Sequence, residues 1–370
     1  MIYFDHGATS FPKPPEVCRA VAWAMGHCAN PGRGSHRAAE LAAETVFSCR
    51  NAAAELFRCR EEQVVFTQNC THGLNMAIRT LVRPGDRVVI SGFEHNAVTR
   101  PLHGLGARIT VAGRKLFDRE DTLRAFRRAL DRGAKAAVFT HVSNVFGYIL
   151  PVEQMAAECR KQRIPFIIDA AQSAGAIAID FENLGADFIA MPGHKGLLGP
   201  MGTGLLICRR LPKPLIMGGT GSESERQIMP DILPDRGEAG TLNVPGIAGL
   251  EAGLRLVTQL GPERIGRQES MLAARAAETL RELGMEVYAG SNQLGTLSFR
   301  SGEDCEEAAE RLSGQGIAVR AGLHCAPLAH RSAGTIRTGT VRVSTGPDTC
   351  GEDLEELRRA VQTSLRPFRE

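Results

Sequence analysis

The sequence lacks the features that identify zinc-binding, disulfide-rich, membrane-spanning and secreted proteins. Its ten cysteines form no Cys-x-x-Cys pair, which argues against a zinc knuckle or a disulfide framework. No run approaches the roughly 18 uncharged apolar residues of a membrane span. The amino terminus also lacks the basic start and apolar stretch of a secretion signal. We therefore expect a cytoplasmic protein with reduced cysteines and no metal site.

An excess of one charge is also absent. The 44 basic and 41 acidic residues are spread along all 370 positions, and no block of like charge occurs. Such a mixed surface is typical of a solvated globular protein, so we expect neither a nucleic-acid nor a membrane partner. With 43% hydrophobic residues, the chain is long enough for two domains.

What the sequence does contain is an alternation of short β-rich runs and longer helical stretches. Buried parallel strands are expected at Val64–Phe66, Arg87–Ile90, Ala136–Phe139, Phe166–Ile168 and Asp187–Ala190. Helical crossovers are expected at 71–81 and 151–162. The pattern predicts an α/β fold in which residues 1–245 form a large domain around a doubly wound, mostly parallel sheet.

The pattern changes after residue 245. Helical stretches are expected at 246–260, 262–284, 303–313 and 351–365, and strands near 294–299, 316–320 and 340–344. These elements predict a smaller α/β domain, residues 246–370. Whether the amino-terminal segment packs against this domain is left open. Residues 212–240 are rich in turn-forming residues, and we interpret them as a loop. Whether this loop contacts a partner subunit is also left open.

Asp169 directly follows the predicted strand at 166–168. Ligands of open α/β sheets collect at the carboxyl ends of strands, and a buried carboxylate there needs a cationic partner. A pyridinium nitrogen would serve, because the ion pair keeps the ring protonated as an electron sink. The alternative from this segment alone is a carboxylate that caps the next helix.

Lys195 also follows a short strand, with His194 before it and a glycine-rich run, 196–204, after it. Lysine can form an imine with an aldehyde cofactor and then move a proton. A nucleotide-binding loop is the rival interpretation. It fails because the Gly-x-x-x-x-Gly-Lys-Ser/Thr spacing is absent.

Eight motifs in order make nearly the whole chain resemble the fold-type I aminotransferases, and within them the class V branch that holds cysteine desulfurases and selenocysteine lyases. The motifs are Asn30–His36, Gln68–Asn75, Glu94–Asn96, His141–Gly147, Asp169–Gln172, Gly193–Lys195, Glu238–Thr241 and Arg320–Ala326. The resemblance implies pyridoxal 5'-phosphate as the cofactor and a homodimer with its active sites at the subunit interface.

The resemblance also assigns cofactor contacts. Lys195 would be the imine lysine, Asp169 would pair with the pyridinium nitrogen, and Gln172 would bond the phenolic oxygen. His95 would stack on the ring. The phosphate contacts would be Cys70, Thr71 and His194, together with Thr241 from the other subunit.

The implied activity is that of a cysteine desulfurase, which converts L-cysteine to L-alanine. The catalytic residues would be Lys195, His95 and Cys325, and the sulfur would pass through a persulfide on Cys325 to an acceptor. Asn144, Arg342, Arg320 and His36 match substrate-side positions, and arginine can clamp a carboxylate with two hydrogen bonds. The acceptor stays open between an iron–sulfur scaffold, a tRNA-thiolation protein, a selenium pathway and a small thiol.

Two residues depart from the desulfurase pattern. Pro192 stands where a hydroxyl usually helps to hold the phosphate, and Leu323 stands where a second histidine is common.

The alternative functions are selenocysteine lyase or cysteine sulfinate desulfinase activity, an ordinary class V aminotransferase that does not need Cys325, and a catalytically silent sulfur-relay subunit. Comparing substrates separates the first pair, and keto-acid-dependent amino transfer would identify an aminotransferase. Absence of an imine absorbance would favour the silent subunit.

Overall fold

A computed structural model of the protein describes residues 1–32 and 34–369, so Arg33 of the Asn30–His36 motif lies outside the described residues. The strands are β1 (Ile2–Tyr3), β2 (Val64–Thr67), β3 (Arg87–Ser91), β4 (Arg108–Ala112), β5 (Ala136–Thr140), β6 (Phe166–Asp169), β7 (Phe188–Pro192), β8 (Gly204–Cys208), β9 (Glu286–Tyr288), β10 (Thr296–Arg300), β11 (Ile317–Ala318), β12 (Arg320–Gly322) and β13 (Thr340–Ser344).

The helices pack around these strands. They are α1 (Pro15–His27), α2 (Arg37–Phe57), α3 (Cys70–Leu81), α4 (Asn96–Gly104), α5 (Arg119–Leu130), α6 (Val152–Gln162), α7 (Phe181–Leu184), α8 (Val244–Leu260), α9 (Pro262–Glu282), α10 (Cys305–Gly314), α11 (Pro327–Ala333) and α12 (Gly351–Ser364). No helix within the described ranges is long and apolar enough to cross a membrane.

The central sheet has seven strands in the order β2-β8-β7-β6-β5-β3-β4. Strand β8 runs antiparallel to its neighbours β2 and β7, and the pairs β7-β6, β6-β5, β5-β3 and β3-β4 are parallel. The predicted α/β fold with a mostly parallel sheet is therefore confirmed. The sequence pattern does not predict β4 or β8. In the case of β8, the apolar run Leu205–Cys208 is short and directly follows a glycine-rich stretch, which favours a loop interpretation.

A second sheet, β12-β13-β10-β9, is antiparallel. The strand predicted near 316–320 is wrong in extent, because it divides into β11, which pairs with β1, and β12, which joins this second sheet. Phe4 belongs to the apolar core of the smaller unit. The amino-terminal segment therefore packs against the carboxyl-terminal part of the chain.

Helix α8 packs against α1 and α2, and its Leu250 and Leu254 belong to the core of the central sheet. The division predicted after residue 245 stays a prediction, and the packing of α8 favours a boundary nearer residue 260. Between β8 and α8 the described chain has one short 3-10 turn, Asp235–Gly237.

The carboxyl ends of the parallel strands determine where the site lies. Strands β3, β5, β6 and β7 end side by side, and the predicted site residues follow them within a few positions. Parallel neighbours present these ends at one edge of a sheet. This edge therefore collects side chains from four separate parts of the sequence.

Candidate active site

A cavity of about 500 Å³ lies where this edge meets β12 and β13. All but two of the predicted site residues line it, namely Cys70, Thr71, His95, Asn144, Asp169, Gln172, His194, Lys195, Arg320, Cys325 and Arg342. The fold thus brings together residues that are up to 272 positions apart, from Cys70 to Arg342. Pro192 also lines the cavity.

Lys195 lies in the turn that follows β7. The turn is closed by hydrogen bonds from Leu198 N to Lys195 O and from Gly199 N to Gly193 O, both 2.8 Å. A Cβ atom at Gly196 would lie 2.3 Å from the carbonyl oxygen of Ala174, which explains the glycine next to the lysine. Burial, and then the charge of Arg342, lower the pKa of Lys195. This favours the neutral amine that a nucleophile or base requires.

Asp169 ends β6 and is 2% exposed. Its Oδ1 accepts a hydrogen bond from Ala171 N at 2.9 Å and one from the Cys70 thiol at 3.5 Å. No hydrogen bond to Oδ2 is found within residues 1–32 and 34–369. The carboxylate therefore keeps one oxygen available to a cationic group in the cavity.

The amino terminus of α3 faces the same cavity. Asn69 caps it by accepting from His72 N at 2.9 Å. In the described part of the chain, the N–H groups of Cys70 and Thr71 have no hydrogen-bond partner, and both residues line the cavity. Free N–H groups at a helix amino terminus attract an anion such as phosphate.

Two histidines of the site are held as neutral rings. His95 Nδ1 accepts from Ala97 N at 3.0 Å, and burial lowers the pKa of His95. Burial, followed by the charge of Lys195, lowers the pKa of His194 to about 4. His194 Nδ1 lies 3.1 Å from Thr9 Oγ1.

Arg342 is 2% exposed and projects from β13. Its Nη2 donates to Asp5 Oδ1 at 2.7 Å, and its Nη1 donates to the carbonyl oxygen of Asn144 at 3.1 Å. Arg320 contacts the same aspartate, with Nη2 2.7 Å from Oδ2. The two predicted substrate arginines are therefore joined by one buried carboxylate.

Cys325 is exposed and follows β12 in a strained turn. His324 has φ of 48° and Cys325 has φ of 55°, a left-handed conformation that is costly for residues with a side chain. The Asn144 amide donates to His324 O, and Asn96 N donates to Cys325 O, both at 2.7 Å. These bonds hold the thiol at the cavity.

Two predicted site residues lie elsewhere in the single chain. His36 is exposed and caps α2, where its Nδ1 accepts from Ala39 N at 3.3 Å. Thr241 is exposed and lines a separate cleft beside Gly202 and Leu215. Their roles stay predictions, and that of Thr241 depends on a second subunit.

The chain matches known proteins over nearly its whole length. The family model for class-V aminotransferases covers residues 2–357. The chain belongs to the class-V aminotransferase family. This confirms the resemblance drawn from the eight motifs.

Three class-V relatives show the extent of the likeness. A probable cysteine desulfurase of Pyrococcus abyssi is 32% identical, with 100% of this chain and 95% of the relative aligned. A cysteine desulfurase of Salmonella newport is 33% identical over 88% of this chain and 84% of the relative. The apo structure of a cysteine desulfurase from Thermococcus onnurineus NA1 superposes with a TM-score of 0.88 at 31% identity, covering 98% of this chain and 94% of that one.

The sequence analysis missed several residues of the amino-terminal segment that contact the candidate site residues. Besides Asp5, Thr9 Oγ1 donates to the carbonyl oxygen of His194 at 2.9 Å, and Lys13 Nζ donates to it at 2.7 Å. The only local signal is a run of small and polar residues directly after a two-residue strand. That pattern does not specify a partner almost 200 positions away.

Proposed function

We propose that this protein is a cysteine desulfurase that converts L-cysteine to L-alanine and leaves the sulfur as a persulfide on Cys325. The observation that carries the proposal is that the exposed Cys325 lines the same cavity as Lys195. Relatives that cover nearly the whole chain bear the name probable cysteine desulfurase. An ordinary aminotransferase has no need of a thiol at this place.

The cavity fits pyridoxal 5'-phosphate in its donor chemistry. Lys195 supplies the amine. Among the described residues, Asp169 Oδ2 has no hydrogen-bond partner and the first N–H groups of α3 are unpaired, so both are available to the cofactor. His95 and Gln172 complete the proposed set of contacts. When bound, the cofactor supplies an aldehyde for imine formation and an electron sink for the substrate α-carbon.

The chain's own residues do the remaining work. Arg342 and Asn144 hold the substrate carboxylate, and the neutral amine of Lys195 takes the α-proton and later returns a proton to the product. Cys325 Sγ, as thiolate, attacks the substrate sulfur. The S–S bond forms as the Cβ–S bond breaks, and the electron pair of that bond remains on the carbon skeleton and takes up a proton. One thiol and one cysteine thus become one persulfide and one alanine, without an external oxidant.

The deciding experiment measures alanine and protein persulfide together after incubation of the holoenzyme with L-cysteine. We expect Cys325→Ala to lose the persulfide and Lys195→Ala to lose both products and the imine absorbance. Exposed Cys350 provides the matched control, because Cys350→Ala leaves the cavity intact. Wild-type sulfide release by Cys325→Ala would refute the proposal, and keto-acid-dependent amino transfer would point to an aminotransferase.

We also propose a homodimer, supported by exposed apolar side chains in the segment between β8 and α8. Ile216, Met217 and Ile228 are 51%, 73% and 61% exposed, and grouped exposed apolar side chains are typical of protein–protein contact sites. Light scattering is expected to show that Ile228→Glu dissociates the dimer while Met271→Glu, at an exposed methionine on α9, does not. A fully cofactor-loaded wild-type monomer would contradict this. The sulfur acceptor, including an iron–sulfur scaffold, stays a prediction.

A further inference from the structure

Asp5 occupies a central position between the two substrate-side arginines. It is 7% exposed. Its Oδ1 accepts from Arg342 Nη2 at 2.7 Å, while its Oδ2 accepts from Arg320 Nη2 at 2.7 Å and from Arg320 Nε at 3.0 Å. The backbone of Asp5 is paired with Ser344, two residues beyond Arg342 on the same strand. The carboxylate is therefore fixed relative to β13.

This contact leaves Arg342 only partly satisfied. The buried Nε of Arg342 has no hydrogen-bond partner in residues 1–32 and 34–369. An unpaired buried guanidinium N–H is costly unless a ligand completes it. Because Asp5 and the Asn144 carbonyl hold the other two nitrogens, the orientation in which Arg342 meets a ligand is set before the ligand arrives.

The charges of this cluster sum to one positive charge, which one anion would neutralise. Arg320 and Arg342 carry two positive charges and Asp5 carries one negative charge. The other titratable groups that face the cluster are Tyr3, His6, His95, His324, Lys195 and Cys325. Burial lowers the pKa of the three histidines and of Lys195, which favours their neutral forms. The arginine pair therefore presents one net positive charge to the cavity, which one substrate carboxylate neutralises.

We propose that Asp5 is a positioning and specificity residue. It holds Arg342 for the substrate carboxylate and cancels one guanidinium charge, so that the site selects amino acids without a second negative charge. L-Cysteine meets this condition, whereas L-cysteine sulfinate brings an additional anion for which no uncompensated cation remains. The choice of these substrates rests on the proposed desulfurase function.

The test compares kcat/KM for L-cysteine and L-cysteine sulfinate in holoenzyme carrying wild-type Asp5, Asp5→Asn or Asp5→Glu. Asp5→Asn is expected to raise the sulfinate-to-cysteine ratio by about tenfold or more, because it frees one guanidinium charge. Asp5→Glu retains the charge and is expected to keep the ratio near that of wild type. A folded Asp5→Asn protein with an unchanged ratio would overturn the proposal.

Two further measurements keep the test decisive. Binding of L-alanine and L-aspartate, followed through the cofactor absorbance, reports the same charge selectivity without turnover, so it still tests Asp5 if the protein does not desulfurate cysteine. If Asp5→Asn does not fold, Arg320→Gln replaces it. Removing that positive charge must lower the aspartate-to-alanine affinity ratio, and an unchanged ratio would again overturn the proposal.

Discussion

The side-chain amide of Asn144 donates a hydrogen bond of 2.7 Å to the carbonyl oxygen of His324, the residue before Cys325. Asn144 follows β5 of the central sheet, whereas His324 follows β12 of the smaller sheet. One hydrogen bond therefore links the two parts of the chain beside the proposed sulfur-accepting thiol. Because both His324 and Cys325 have positive φ, the turn depends on such bonds for its shape.

We expect Asn144→Ala to slow persulfide formation about tenfold or more, because it removes the bond to His324 and a substrate contact together. Single-turnover formation of protein persulfide measures this effect. Gln154→Ala on the exposed side of α6 is the control and should react like wild type. An unchanged single-turnover rate in Asn144→Ala would show that the Cys325 turn does not need this bond.

The Cys70 thiol, 3.5 Å from Asp169 Oδ1, is expected to orient the carboxylate for the cofactor. Cys70→Ala removes the donor and should weaken cofactor binding by about fivefold, in line with a net hydrogen bond of ~1 kcal/mol. Cys70→Ser keeps a donor and should bind more tightly than the alanine variant. Titration of apoenzyme with pyridoxal phosphate, read by the imine absorbance, measures both. Equal affinities for the two variants would contradict this role.

Glu238 and Arg50 form a buried bidentate ion pair, with both N···O distances at 2.9 Å. Glu238 also accepts from Phe66 N at 2.7 Å, so it ties the segment leading to Thr241 to the central sheet. Glu238→Ala leaves the buried guanidinium of Arg50 without its carboxylate partner and should lower the free energy of unfolding by about 3–5 kcal/mol. Urea unfolding measures the loss. Glu278→Ala, at an exposed glutamate on α9, should change it little, and an equally small effect at Glu238 would refute this account.

His330 makes the folding stability depend on pH. It is fully buried, and burial lowers its pKa to about 4. Between the ordinary histidine value of about 6.5 and pH 4, the unfolded chain binds a proton that the folded chain does not, so this stabilisation is lost as the pH falls. Between these pH values, the free energy of unfolding of the His330→Gln variant should therefore fall by up to about 3 kcal/mol less than that of wild type. Denaturant unfolding at pH 7 and pH 4.5 measures it, with exposed His103→Gln as the control. Identical pH slopes for wild type and His330→Gln would contradict the assignment.

Most residues that line the cavity could be predicted because they follow local patterns along the chain. Asp169 and Lys195 each follow a short apolar run, and such runs identify strands whose carboxyl ends share one edge of a sheet. The strands of the smaller domain were harder to predict, since the run near 316–320 divides between two sheets. Nothing within five residues indicates which partner each half will choose, because strand pairing is a long-range choice.

By itself, the sequence determined the family, the fold class and the candidate site residues, since these depend on residue types in a particular order. Only the tertiary structure decided how those side chains are held. Asp5 and Arg342 are 337 positions apart and Asn144 and His324 are 180 apart. Such pairs are brought together by strand pairing and packing between distant segments, and no local periodicity or spacing encodes their contact.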